Sequence, residues 1–153
     1  MSEPKQKQQG FTLVESMVSL VVLSVGMIGI AALYAQGLGA GRSALYRTQA
    51  VNLVADMADR IRANRRAIAA YAGPANNNGC DPMGGGVDCT PTEMAAHDLF
   101  LWDQQVRQAL PNGDWQVQVN GGTLPPSYTI QVTWDEVGQG QITHQTLIQV
   151  PQT

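Results

Sequence analysis

The 153-residue chain is 44% hydrophobic and 14% charged, with nine Lys and Arg against twelve Asp and Glu for a formal net charge of −3. A chain of this length accommodates one anchoring helix and one small soluble domain rather than two globular domains. Its acidic balance argues against a nucleic-acid binder, which would need a local basic patch to attract phosphate.

Residues 1–10 form a short polar leader carrying Lys5 and Lys7, and the string Gly10-Phe11-Thr12-Leu13-Val14-Glu15 begins at its last residue. Residues 16–41 then run for 26 positions without a charge. As a helix this run would reach roughly 39 Å, enough to cross a hydrocarbon core of about 30 Å, so it reads as a membrane span. A secretory signal peptide would need a short apolar region followed by a small-residue cleavage site. Here the apolar run instead continues into Gly37-Leu38-Gly39-Ala40-Gly41. Positive charge flanks both sides, Lys5 and Lys7 before the run and Arg42 and Arg47 after it; a cytoplasmic N-terminus is expected. Glu15 is the odd residue, because a carboxylate within a lipid-embedded helix costs about 3 kcal/mol at the centre and less near the interface. No Lys or Arg follows it before Arg42. It either sits among headgroups at the helix N-terminus, where the helix dipole favours it, or finds a partner on another subunit.

The string Gly10-Phe11-Thr12-Leu13-Val14-Glu15 ahead of an apolar helix resembles the processing signal of type IV prepilins and pseudopilins. The resemblance implies cleavage by a prepilin peptidase between Gly10 and Phe11, N-methylation of Phe11, and pairing of Glu15 with the N-terminal amine of a neighbouring subunit during assembly. Losing Lys5, Lys7 and Glu3 with the leader would take the net charge from −3 to −4. Many major pilins carry a helix-bending proline in this segment, whereas here no proline occurs between Pro4 and Pro74. Gly26, Gly29, Gly37, Gly39 and Gly41 are the alternative points of softening.

Residues 42–71 are predicted to continue the helix, with Val54, Met57, Ile61 and Ile68 forming one apolar stripe. Arg47, Asp56, Asp59, Arg60, Arg62, Arg65 and Arg66 are expected to face water, lipid headgroups or other subunits; a DNA-binding role for the arginines is the less favoured reading. Residues 72–90 read as a loop, from Gly73-Pro74, the Asn76 to Gly79 run and Gly84-Gly85-Gly86. Within it Cys80 and Cys89 flank a Gly/Pro-rich segment of about ten residues and, beyond the span, would meet an oxidising compartment and pair as a disulfide. Closing a loop of this length contributes on the order of 2.5 kcal/mol. Two cysteines without a nearby histidine fall short of a zinc site, and Asp81 with Asp88 is a weak calcium pair. Thr90-Pro91-Thr92-Glu93 opens a second helix with an N-cap, a first-turn proline and a capping-box acid. Its stripe is Ala95, Leu99, Trp102 and Val106, and Pro111-Asn112-Gly113 ends it.

Three strands are predicted at residues 115–120, 128–136 and 142–150, as an antiparallel meander whose apolar face covers the long helix. Trp102, Trp115 and Trp134 fall on core-facing positions. His97 and Asp98 are adjacent on a helix and point about 100 degrees apart, so they do not converge on one substrate atom; His97 is expected at the surface. His144 lies on a strand with no nucleophile specified near it. No enzymatic activity, metal or cofactor is expected. The segments from Asp98 to Trp102, from Leu110 to Gly113 and from Val132 to Glu136 resemble minor pilins of the PilV type, the type IV pilus modification proteins.

The expected fold is α+β and pilin-like: a long N-terminal helix packed on a small antiparallel three-stranded sheet, with a second short helix. The organisation is a leader at 1–10, a transmembrane and assembly half-helix at 11–41, and a periplasmic domain at 42–153. The resemblance implies an inner-membrane protein that passes to a surface pilus. Its partners would be other minor pilins, the major pilin, the prepilin peptidase, the inner-membrane assembly platform and membrane lipid. It would initiate, prime or cap the pilus. A minor pseudopilin of type II secretion, or an adhesin or DNA-binding subunit at a pilus tip, is the alternative.

Overall fold

The computed structural model describes residues 10–80, 88–122 and 124–151, without the side chain of Ile68. The leader before Gly10, Asp81 and the triple glycine at 84–86 lie outside the described residues, as does the Ile68 position of the predicted stripe. Six elements follow in order: α1 at Leu13–Ala63, a 3-10 helix at Arg65–Ala72, α2 at Pro91–Ala109, β1 at Asp114–Asn120, β2 at Ser127–Glu136 and β3 at Gly140–Gln149. The chain divides into two compact units, Met1–Arg42 and Ser43–Thr153.

In the first unit, Gly10, Phe11 and Thr12 lead into the start of α1, which runs unbroken through all five of its glycines. In the second, Ala50, Val54, Met57, Ala58 and Ile61 are the buried positions of α1, at spacings of three and four. They join Leu99, Trp102 and Val106 of α2 and Tyr128, Ile130, Val132 and Trp134 of β2 in one core. Each such large side chain contributes roughly 1.5–3 kcal/mol when fully buried.

The helix predicted over 42–71 stops at Ala63. Asn64 leaves the helical region at φ −107° and ψ 54°, and its side-chain amide donates to Pro91 O at 2.8 Å. The chain then tightens into the 3-10 helix, with Ala67 N–H on Asn64 O, which turns Ala67 and Tyr71 into the core. A bond to another element thus overrides a local preference that would have carried α1 further.

Helix α2 has the predicted start. Thr90 Oγ1 accepts from Glu93 N–H, and Glu93 returns a bond from Thr90 N–H at 2.8 Å, with Pro91 in the first turn. It stops at Pro111-Asn112-Gly113, where Asn112 takes a positive φ and a Cβ on Gly113 would meet Val106 O at 2.7 Å. The strands form an antiparallel meander in the order β1-β2-β3, pairing Gln116 with Gln131 and Gln131 with Gln145. At the β2–β3 turn, Gln139 N–H reaches Glu136 O while Gly138 holds φ 82°, a conformation that favours glycine.

Candidate functional site

The first turn of α1 is built by Thr12. Its hydroxyl accepts from Glu15 N–H at 3.3 Å, and its carbonyl accepts from Glu15 and Ser16 N–H. Thr12-Leu13-Val14-Glu15 therefore places a cap and a third-position acid at the helix start, in keeping with the helix N-terminus alternative for Glu15, although the Thr12 cap itself was legible in the sequence and not read there. The Glu15 carboxylate is exposed and, among the described residues, has no hydrogen-bond or ion-pair partner. Ser19 and Ser24 bond back to Glu15 O and Val21 O at 2.8 Å, so these hydroxyls need no outside partner. Gly10 and Phe11 precede the helix and are exposed, Phe11 at 79%.

Every large apolar side chain from Leu13 to Leu38 is more than half exposed, on all sides of the helix. A helix apolar all round does not suit water; it fits lipid or the interior of an assembly. Fifteen such side chains left in water would forgo burial worth on the order of tens of kcal/mol.

Within the folded unit, the polar side chains expected on a solvated face are partly absorbed into the core rim. Arg60 donates to Asp56 at 2.9 Å and to Asp98 at 3.1 Å, with side chains 22% and 14% exposed for Arg60 and Asp98. Tyr71 Oη lies 2.7 Å from Asp98 and 3.2 Å from Arg60 O. Burial, and then the Asp98 hydrogen bond, pushes the Tyr71 phenol above its ordinary value. At the β2–β3 turn, the buried Glu136 carboxylate accepts from Ser43 Oγ and Trp134 Nε1 and pairs with Arg47. The Ser43 bond leads the lowering of its pKa. Asp103 accepts from Arg107 and from Trp115 Nε1 and is likewise lowered, chiefly by Arg107. Asp59 and Arg62 are exposed, as expected, and form an ion pair.

His97 corrects a sequence expectation. Asn76 N–H bonds Ala96 O and Asn78 Nδ2 bonds Glu93 O, holding the preceding loop against this flank of α2, and His97 is buried there at 5% exposure. Among the described residues neither ring nitrogen has a hydrogen-bond partner. Asp98 turns instead to Arg60 and Tyr71, so the two neighbours do not form an acid-base pair. Trp102 and Trp134 are fully buried as predicted, whereas Trp115 is half-buried, its ring 5.4 Å from that of Trp102. Cys80 and Cys89 form a disulfide, with Cys80 buried. No group of three or more His, Cys, Asp or Glu gathers in metal-binding distance among the described residues.

Residues 5–31 match a family model described as the prokaryotic N-terminal methylation motif, and residues 32–100 match one described as type IV pilin Tt1218. No curated protein and no solved structure matches the chain. The two matches, neither of which spans half of the chain, show similarity to a type IV pilin family and to the prokaryotic N-terminal methylation motif, and α1 is long and apolar enough to cross a membrane.

Proposed function

We propose that this pilin-like chain is a minor type IV pilin of the PilV kind, which takes part in initiating, priming or capping the pilus. The observation that carries the reading is an exposed, uncharged helical segment that opens on a capped but unpaired Glu15, directly after Gly10-Phe11. In this reading the prepilin peptidase cuts between Gly10 and Phe11 and Phe11 is N-methylated. Residues 11–41 hold the subunit in the inner membrane, with the N-terminus cytoplasmic, until it is extracted. Residues 42–153 form the periplasmic domain. The Glu15 carboxylate then sets axial register by meeting the amine of a neighbouring subunit, where desolvation strengthens the charge pair. The chain acts by assembly with other minor pilins and the major pilin, and does no chemistry of its own.

Glu15→Ala tests this. The variant is expected to be cleaved normally and to be lost from sheared filaments, read by intact mass and immunoblot. Filaments holding normal amounts of it would overturn the role of Glu15, and a mature chain beginning elsewhere than Phe11 would overturn the processing site. Deleting the gene should reduce surface piliation; loss of protein secretion with normal piliation would favour a type II secretion pseudopilin instead.

A further inference from the structure

The two edges of the sheet differ. The 3-10 helix and α2 lie beside β1, whereas β2 is the one described element whose backbone runs along β3. In an antiparallel edge strand, alternate residues turn their N–H and C=O groups away from the partner, and on β3 that row faces outward over ten residues. Natural edges are blunted by lysine, proline, bulges or very short strands. β3 has none of these: it carries no Lys, Arg, Asp, Glu or Pro, and its register with β2 runs without interruption from Ser127–Gln149 to Glu136–Gly140. Indeed no Lys or Arg occurs after Arg107. The outward side chains Thr143, Gln145 and Leu147 are exposed, and Gln145 ends a row that crosses the sheet through Gln131 and Gln116.

We infer that β3 is an acceptor edge, onto which an extended, uncharged segment of a different subunit adds as a fourth strand. The occupant follows from the chemistry of the edge. An open ladder of backbone donors and acceptors is matched by another extended backbone, and ten residues without charge admit a neutral strand without burying an unpaired ion. A second copy of this chain, paired β3 to β3, is the other occupant such an edge could take, and the test separates it.

The inference rests on the assembly reading for the source of its partner, and the test separates the two. Amide exchange of Gly140–Gln149 is measured by mass spectrometry on the full chain, in detergent and in sheared filaments, with immunoblot confirming its presence in the filaments. Exchange in filaments should be slower by about fivefold to tenfold, the factor that accompanies one typical hydrogen bond. The edge variant Thr143→Lys/Gln145→Lys should lose this protection. Gln131→Lys/Thr133→Lys, which puts the same charges on their cross-strand partners in β2, should keep it. Equal exchange in the two states, with the chain present in filaments, would overturn strand addition while leaving assembly intact. So would equal effects of the two lysine pairs. Protection that grows with the concentration of the detergent-solubilised chain alone would overturn the choice of occupant in favour of a second copy.

Discussion

Asp98 carries the sharpest test of how the folded unit is held together. Its carboxylate joins Arg60 of α1 and Tyr71 of the 3-10 helix to α2, at 3.1 Å and 2.7 Å, with little solvent access. Hydrogen bonds to charged groups contribute about 1.5–3 kcal/mol each. Asp98→Ala removes two, but Arg60 keeps Asp56 and Tyr71 keeps Arg60 O, so the net loss should be about 3 kcal/mol. With a urea dependence of about 1–1.5 kcal/mol/M, the unfolding midpoint should drop by about 2–3 M. All three tryptophans lie in the folded unit, so their emission during urea titration of the full chain in detergent reports its unfolding. Asp59→Ala removes an ion pair of similar length at the surface and should shift stability by about 0.5 kcal/mol or less. If the two variants unfold at the same midpoint, Asp98 does not tie these elements together.

The same network predicts alkaline sensitivity. The folded Tyr71 phenol holds its proton above the ordinary value of 10.0, so its contribution is complete below about pH 10 and is lost as pH rises through the folded value; Tyr71→Phe should flatten that fall in a pH series of urea titrations. Glu136 acts in the opposite direction. Its folded carboxyl is more acidic than the ordinary 4.5, so its contribution is present above that value and lost as pH falls through the folded one, and Glu136→Gln should reduce the acid slope of stability. Replacing both Cys80 and Cys89 with alanine should lower stability by about 2.5 kcal/mol without changing the far-UV circular dichroism of the helices, as expected for a cross-link that acts mainly on the unfolded chain. An unchanged midpoint in the alanine pair would show that the cross-link does not set the stability of the folded unit.

Much of this molecule is written in local patterns. The uncharged run after Glu15, the Thr90-Pro91-Thr92-Glu93 start of α2, the stripes of α1 and α2, and the alternation along β2 each need only the 3.6- or 2-residue period and a few capping residues, so they are legible one segment at a time. The uncharged segment is the extreme case, because its large apolar side chains are all exposed and its composition alone carries the message. Tertiary contacts decided the rest. The end of α1 at Ala63 depends on an amide bond from Asn64 to Pro91, 27 positions later. His97 is buried on a helix that Asn76 and Asn78 of the preceding loop bond at Ala96 and Glu93, and the pairing of Arg60 with Asp98 spans 38 positions. A charged or polar side chain shows in the sequence only that it needs a partner. Which partner it finds, and whether it is left in water, is set by elements brought together from distant parts of the chain, and no local period encodes that choice.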